Sequence, residues 1–150
     1  MSHSCQCPCG HSKLEIHGEP IVRFICHCTI CQRLYKAPYV DANLYKLDQI
    51  ELPEDSDISY GKYKRVAAID RGLCPECNHP VMAKVGEGEK AYGFVATKNH
   101  LDADTLPPAE MHVYYGTRVE DVDDDLPKFG NFITSNWAFI KRMMGANKAA

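Results

Sequence analysis

The six-residue stretch Cys26-His27-Cys28-Thr29-Ile30-Cys31 packs three thiols together directly after an apolar run, Ile21-Val22-Arg23-Phe24-Ile25. The run reads as a strand, and a strand entering a tight turn can aim three sulfurs at one point. Thiolates are soft ligands that select zinc, copper(I) or iron–sulfur clusters, and zinc is the commonest partner of closely spaced cysteines. The number three matters. A structural zinc is closed by four protein ligands, whereas a catalytic zinc keeps three and leaves one position for water or substrate.

Eight cysteines in 150 residues admit two readings, a disulfide scaffold or metal sites. The first belongs to secreted chains, and Met1-Ser2-His3-Ser4-Cys5-Gln6 lacks the charged-then-apolar pattern of an export signal. No apolar run approaches the roughly 20 residues that span a bilayer. The expectation is a cytoplasmic chain in a reducing compartment, its cysteines binding metal. The length suits one domain over residues 1–150, able to bury about 68–70% of its unfolded surface. A formal net charge of −3 offers no basic footprint for nucleic acid and no polybasic patch for a membrane.

Cys5-Gln6-Cys7-Pro8-Cys9-Gly10 places three cysteines at alternate positions. Cys7 and Cys9 are the better pair, since Pro8 stiffens their turn and Gly10 lets the backbone bend away. Cys5 is then spare, a free thiol on a frayed terminus; the pair Cys5 and Cys7 is the alternative. Lys13 to Ile16 alternates as a half-buried strand does, His17-Gly18-Glu19-Pro20 turns, and Ile21 to Ile25 returns as the next strand. Ala37-Pro38-Tyr39-Val40 leads into another, with Pro38 holding its first end off a central ladder. Asp48 to Ser59, with five acids and a proline, reads as a solvated surface loop.

Tyr63 to Ile69 reads as a strand entering Cys74-Pro75-Glu76-Cys77-Asn78. Two cysteines three apart on a tight turn form a zinc knuckle, and the residue after it needs positive φ, which Asn78 tolerates best among non-glycines. Val81 to Val85 and Ala91 to Thr97 read as a hairpin around Gly86-Glu87-Gly88-Glu89-Lys90, whose glycines lack the context of a nucleotide loop. Met111 to Tyr115 is a further strand. Asp121, Asp123, Asp124 and Asp125 lack the spacing and terminal glutamate of a calcium loop. Ile133, Trp137, Ile140 and Met144 form a helical stripe, read as the core-packing face of a short helix over residues 131–145 that stops at Gly145.

The count then divides the thiols. Cys7, Cys9, Cys74 and Cys77 make a closed four-thiolate set from two distant turns, and Cys26, Cys28 and Cys31 are left as three ligands without an obvious fourth. A histidine could close the second set. His27, between two ligands in an extended segment, should point the other way. His112 is better placed to approach from another strand, although a strand histidine is more often a hydrogen-bonded part of the core.

Cys7-Pro8-Cys9-Gly10, Cys26-His27-Cys28-Thr29-Ile30-Cys31 and Cys74-Pro75-Glu76-Cys77 resemble the family of glutathione-dependent formaldehyde-activating enzymes, whose pattern is Cys-x-Cys-Gly, Cys-His-Cys-x-x-Cys and Cys-x-x-Cys. Asn99-His100-Leu101-Asp102, His112 and Leu126-Pro127-Lys128-Phe129 resemble its second half, so the likeness runs over about residues 5 to 129. Lys36 and Asn78 stand where that family usually has glycine. The resemblance implies a mainly β, Mss4-like fold, antiparallel and stapled by two zinc ions. It implies that Cys7, Cys9, Cys74 and Cys77 hold a structural zinc and that Cys26, Cys28 and Cys31 hold a catalytic one. The activity implied is that of a carbon–sulfur lyase joining glutathione and formaldehyde into S-(hydroxymethyl)glutathione, with Arg33, Lys36 and His112 as candidate substrate-binding residues. The family also includes a vertebrate centromere protein, so two other functions are weighed: a thiol carrier without turnover, and an interaction module whose C-terminal helix offers Trp137 and Phe139.

Overall fold

The computed structural model describes residues 2–62 and 69–149; the strand expected over Tyr63 to Ile69 lies, except for Ile69, outside them. Two sheets and a long C-terminal helix make up the fold, which is mainly β. Strands β1 (Ser2–Gln6), β2 (Lys13–His17), β3 (Val22–Cys26), β4 (Val40–Lys46), β5 (Ile50–Glu51), β6 (Ser59–Gly61), β7 (Ile69–Leu73), β8 (Pro80–Val85), β9 (Tyr92–Ala96) and β10 (Met111–Val113) are joined by helix α1 (Thr29–Tyr35) and followed by α2 (Phe132–Ala149). A small sheet has the order β1-β2-β5 and a large one the order β10-β3-β4-β9-β8-β7-β6. Among the described residues the named strands pair antiparallel except β10 with β3, which pair in parallel with Val113 opposite Cys26. No helix among the described residues is long and apolar enough to cross a membrane.

The large sheet has a core on each face. Strand alternation sends Val22, Phe24 and Cys26 of β3 to one side, where they meet Leu44, Ala96, Met111, Val113 and Phe139. Tyr45 and Val95 point to the other side and pack with Val81, Met82, Cys74 and the small sheet's Cys5, Leu14 and Ile16. Central strand β4 is buried on both faces, so Ala42-Asn43-Leu44-Tyr45 does not alternate in exposure. Each fully buried Leu or Phe contributes about 1.5–3 kcal/mol, so both faces add to stability.

Three expectations are corrected. Cys5 is not on a frayed terminus: it lies in β1 opposite Leu14, is buried, and burial pushes its thiol up to about 12. The missed strand has the polar sequence Ser2-His3-Ser4-Cys5-Gln6, and its pairing with β2 rather than its propensity holds it. The acid-rich segment after Lys46 is not all loop, because Ile50–Glu51 extends the small sheet and Ser59 opens β6. The third correction concerns α2. Ile133 and Trp137 are 74% and 58% exposed, and Ile140 and Met144 are exposed with them. The opposite stripe, Ser135, Ala138, Phe139 and Met143, faces the core. Phe139 sets edge-on against Phe24 at 4.8 Å and Phe94 at 5.8 Å, a favoured aromatic geometry that adds to the burial of this inner stripe. Phe139 is therefore no surface residue. The helix also runs through Gly145, at a cost of about 1 kcal/mol relative to alanine, because Ala146 and the residues after it carry no breaker.

Candidate metal centre

Two thiol clusters sit on opposite faces of the large sheet. Cys7 and Cys9 lie on the turn after β1, where Gly10 N–H donates to Cys7 O at 3.0 Å and Gly10 takes φ 79°. Cys74 and Cys77 lie on the knuckle after β7. Asn78 N–H donates to Cys74 O at 2.8 Å with Asn78 at φ 60°, the left-handed conformation expected of it. The four sulfurs all fall within 4.8 Å of one another, with Cys7 to Cys9 at 3.4 Å and Cys9 to Cys74 at 3.8 Å. Metal–sulfur bonds of about 2.3 Å in a tetrahedron place sulfurs about 3.8 Å apart, so these residues fit a four-thiolate metal ion. Burial by itself would raise the Cys74 thiol, but hydrogen bonds, those of the Cys77 and Glu76 amides among them, outweigh it and bring it down to about 6. Cys5 stands outside this set.

The second cluster is built differently from the tight turn expected. Cys26 ends β3, Cys28 is the N-cap of α1, and Cys31 lies in the helix's first turn. The Cys31 amide donates to Cys28 Sγ at 3.3 Å, so the thiol does the capping work usually done by a serine or aspartate oxygen. Thiols are not usual caps, and that is why the helix is not announced by its sequence. The three sulfurs lie within 4.8 Å of one another, and no fourth His, Cys, Asp or Glu among the described residues joins them. Hydrogen bonds from Cys26 and Cys31 hold Cys28 far below the ordinary thiol range, with the Cys31 amide and the charge of Arg71 adding to the effect. The shared proton correspondingly raises Cys26. A cluster that already favours a thiolate suits a soft divalent cation.

The turn between these thiols is braced from three sides. His27 N–H donates to Val113 O at 3.0 Å, while His27 O accepts from Gln32 Nε2 at 2.7 Å and from Thr117 Oγ1 at 2.8 Å. The His27 ring takes no place in the thiol set and stacks on His112, with His27 Nε2 2.8 Å from His112 Nδ1. His112 Nε2 is 2.7 Å from Asp124, whose carboxyl Lys128 and His112 hold well below the usual carboxylate range. The carboxylate accepts from His112 Nε2–H, which leaves His112 Nδ1 to accept from His27 Nε2–H. Both nitrogens of His112 are thus engaged in bracing. The residues around the turn that sequence reasoning passed over are Gln32, on α1 itself, and Thr117 and Asp124, which the fold brings in from a distance.

Arg33 and Lys36 are both exposed on α1 or at its end. Lys36 is the C-cap, at φ 52° and ψ 48°, with its N–H on Gln32 O; this is the left-handed position that glycine usually fills. Beside it a groove of about 290 Å³ is lined by Tyr35, Tyr39, Val40, Asp41, Thr97 and Lys98 among others. Val40 is the cross-strand partner of Cys26, so the groove opens one strand from the three-thiolate cluster. Tyr35 also sets its ring edge-on to His79 at 5.3 Å.

Fold and clusters together define a small, mainly β protein with two thiol sets that could each hold a metal ion, one closed and one with three donors. Residues 2–117 match the family described as glutathione-dependent formaldehyde-activating enzyme, and the chain belongs to that family. The match ends at Thr117, before Asp124, Lys128 and α2. Comparison with the curated proteins returns no match.

Proposed function

We propose that the protein is a zinc-dependent carbon–sulfur lyase interconverting glutathione plus formaldehyde, or a related aldehyde, with S-(hydroxymethyl)glutathione. The observation that carries this reading is the three-thiolate cluster, without a fourth ligand among the described residues, beside an open groove. On this reading Cys7, Cys9, Cys74 and Cys77 hold a structural zinc, and Cys26, Cys28 and Cys31 hold a catalytic one. Zinc at the second set supplies the Lewis acidity that turns a thiol into a thiolate at neutral pH.

The chain's own residues do the positioning. Strand β3 and helix α1 present the three sulfurs, and Gln32, Thr117 and the His27–His112–Asp124 chain keep their turn from shifting. The groove takes the body of the thiol substrate. Lys36, adjoining Tyr35 and Ala37 of the groove, and Arg33 one turn back meet an outer carboxylate. In the forward direction the substrate sulfur forms a bond to the carbonyl carbon and the C=O π pair moves to oxygen. The proton given up by the thiol ends on that oxygen, so no oxidant or reductant is needed. Holding sulfur and aldehyde together in the right geometry is the larger part of what such a site contributes.

Exchange-spectroscopy NMR of glutathione with formaldehyde tests the reading. The protein is expected to speed exchange between free glutathione and its hydroxymethyl adduct, and metal-depleted protein is not. Equal exchange rates with and without the metal-loaded protein refute the lyase assignment.

A further inference from the structure

Helix α2 is held on the protein by one side only. Ser135, Ala138 and Phe139 are buried, and Arg142 lies half-buried beside them with its Nη1 donating to Ala138 O at 3.1 Å. On the other side Ile133, Trp137, Ile140 and Met144 are between 41% and 74% exposed, and no described residue covers them. Together they present about 450 Å² of side-chain surface, as much as the largest apolar patch of a typical monomer, and patches of that size are often functional.

Their spacing carries a second signal. Steps of four, three and four residues from Ile133 to Met144 are those of the a and d positions of a coiled-coil seam, narrower than the broad stripe of a helix laid on a core. The seam is only about one and a half heptads long, too short to pair in an isolated peptide, where helix formation itself is costly. Here the inner stripe already holds α2 helical, so pairing orders no backbone. Residues 2–117 carry the family match, so the helix is a feature this chain adds beyond it.

A second copy of the chain fits this face. With a two-fold axis crossing the seam between Trp137 and Ile140, the helices run antiparallel; Trp137 of each copy meets Ile140 of the other, and Ile133 of each meets Met144 of the other. Charge favours that direction. Residues 132–149 include no acid, and Lys141 is exposed on the flank of the seam. A parallel pair sets Lys141 against Lys141, whereas the antiparallel pair sets it beside Asn136 of the other copy and lets the helix dipoles attract. The two patches together remove about 900 Å², and with Thr134, Asn136 and Lys141 on the flanks the contact passes the roughly 1,000 Å² that a specific interface needs. Such a contact is isologous and closes at two chains. A lipid surface fits less well, because Lys141 is a single outward cation and Glu120, Asp121, Asp123 and Asp125 before the helix are exposed acids.

We propose that α2 is a dimerisation helix, its outer stripe Ile133, Trp137, Ile140 and Met144 packing antiparallel on the same stripe of a second copy.

The test is sedimentation velocity of the full, metal-loaded chain in reducing buffer over a dilution series, with fluorescence read on the same samples. Trp137 is the chain's one tryptophan, so its emission reports this face directly. Wild type is expected to sediment as a dimer at high micromolar concentration, and its emission should move to longer wavelength on dilution with the same midpoint as the mass. Ile133→Glu changes a position that is 74% exposed and sets two carboxylates in the seam. It should weaken the dimer at least about a hundredfold with an unchanged circular dichroism spectrum. Met144→Lys should weaken it as well. An equimolar mixture of the two variants should recover dimer that neither forms alone, since the antiparallel register brings the new carboxylate to the new ammonium. Wild type that is monomeric at every concentration overturns the proposal, as does an Ile133→Glu variant that dimerises as wild type does. A mixture that recovers no dimer overturns the antiparallel register. A monomer whose emission moves to shorter wavelength only when phosphatidylserine vesicles are added assigns the face to lipid instead and overturns the dimer.

Discussion

Replacing one cysteine in each cluster separates a staple from a functional site. Cys74 is fully buried and joins Cys9, 65 residues away, in the four-thiolate set. By the chain-entropy rule for cross-links, tying positions that far apart is worth about 4 kcal/mol at 25 °C, and tying Cys28 to Cys31 only about 2 kcal/mol. Losing a structural metal altogether removes roughly 10–16 kcal/mol of apparent binding free energy, against a net stability of about 5–15 kcal/mol. Cys74→Ser also buries a hydroxyl among Cys7, Val81 and Met82. It is therefore expected to be molten or aggregated, or to melt at least about 8–16 °C lower, the shift that 4 kcal/mol produces in a chain of this size. Cys28→Ser behaves otherwise. Cys28 is the N-cap of α1, and serine is among the best residues at that position, so the cap survives when the metal-binding sulfur is lost. This variant should stay folded, melt no more than about 4–8 °C below wild type, and lose one metal ion per chain together with thiol binding. Circular dichroism melts and elemental analysis, run on both variants side by side, decide the matter. A Cys28→Ser variant that unfolds as badly as Cys74→Ser refutes the reasoning, because the three-thiolate cluster would then hold the fold together as well.

Two smaller perturbations test single residues. Lys36 sits at φ 52°, where an L side chain costs roughly 1–2 kcal/mol and glycine costs almost nothing; after glycine's added freedom in the unfolded chain is subtracted, Lys36→Gly should stabilise by about 1 kcal/mol and raise the melting temperature by about 2–4 °C. A lower melting temperature would mean that the lysine side chain makes a compensating contact. His100 is buried, with Nε2 2.8 Å from the Tyr45 hydroxyl, Nδ1 2.9 Å from Ala96 O, and the His3 ring and Asp102 facing it. Burial lowers its pKa, so below about 6.5 the unfolded chain takes up a proton that folded His100 refuses, and stability falls as pH drops through that value and is flat above it. The melting temperature should fall between pH 7.5 and 5.5 by more in wild type than in His100→Gln; equal falls would remove His100 from the account.

Much of the site is written in short spacings. The knuckle Cys74-Pro75-Glu76-Cys77, the pair around Pro8 and the trio from Cys26 to Cys31 each bring sulfurs together through a few bonds of local backbone, so their grouping is legible without a fold. The same holds for the left-handed Asn78 and for strands β2, β3, β8 and β9, whose alternation and turn residues are local properties. What needed the tertiary structure is everything set by register and by competition between faces. Helix α1 depends on a thiol acting as its cap. The buried place of Cys5 depends on β1 finding β2. The stripe of Ile133, Trp137, Ile140 and Met144 is helical in period, but periodicity does not say which side of a helix meets the core; the structure places Phe139 there, edge-on to Phe24 and Phe94. The row from Arg71 through Ala83, Phe94 and Leu44 to Val22 exists only because four successive strand pairings carry it across the sheet. No spacing within the chain encodes that row, since register is fixed by which side chains pack across strands, and those partners lie far apart in sequence.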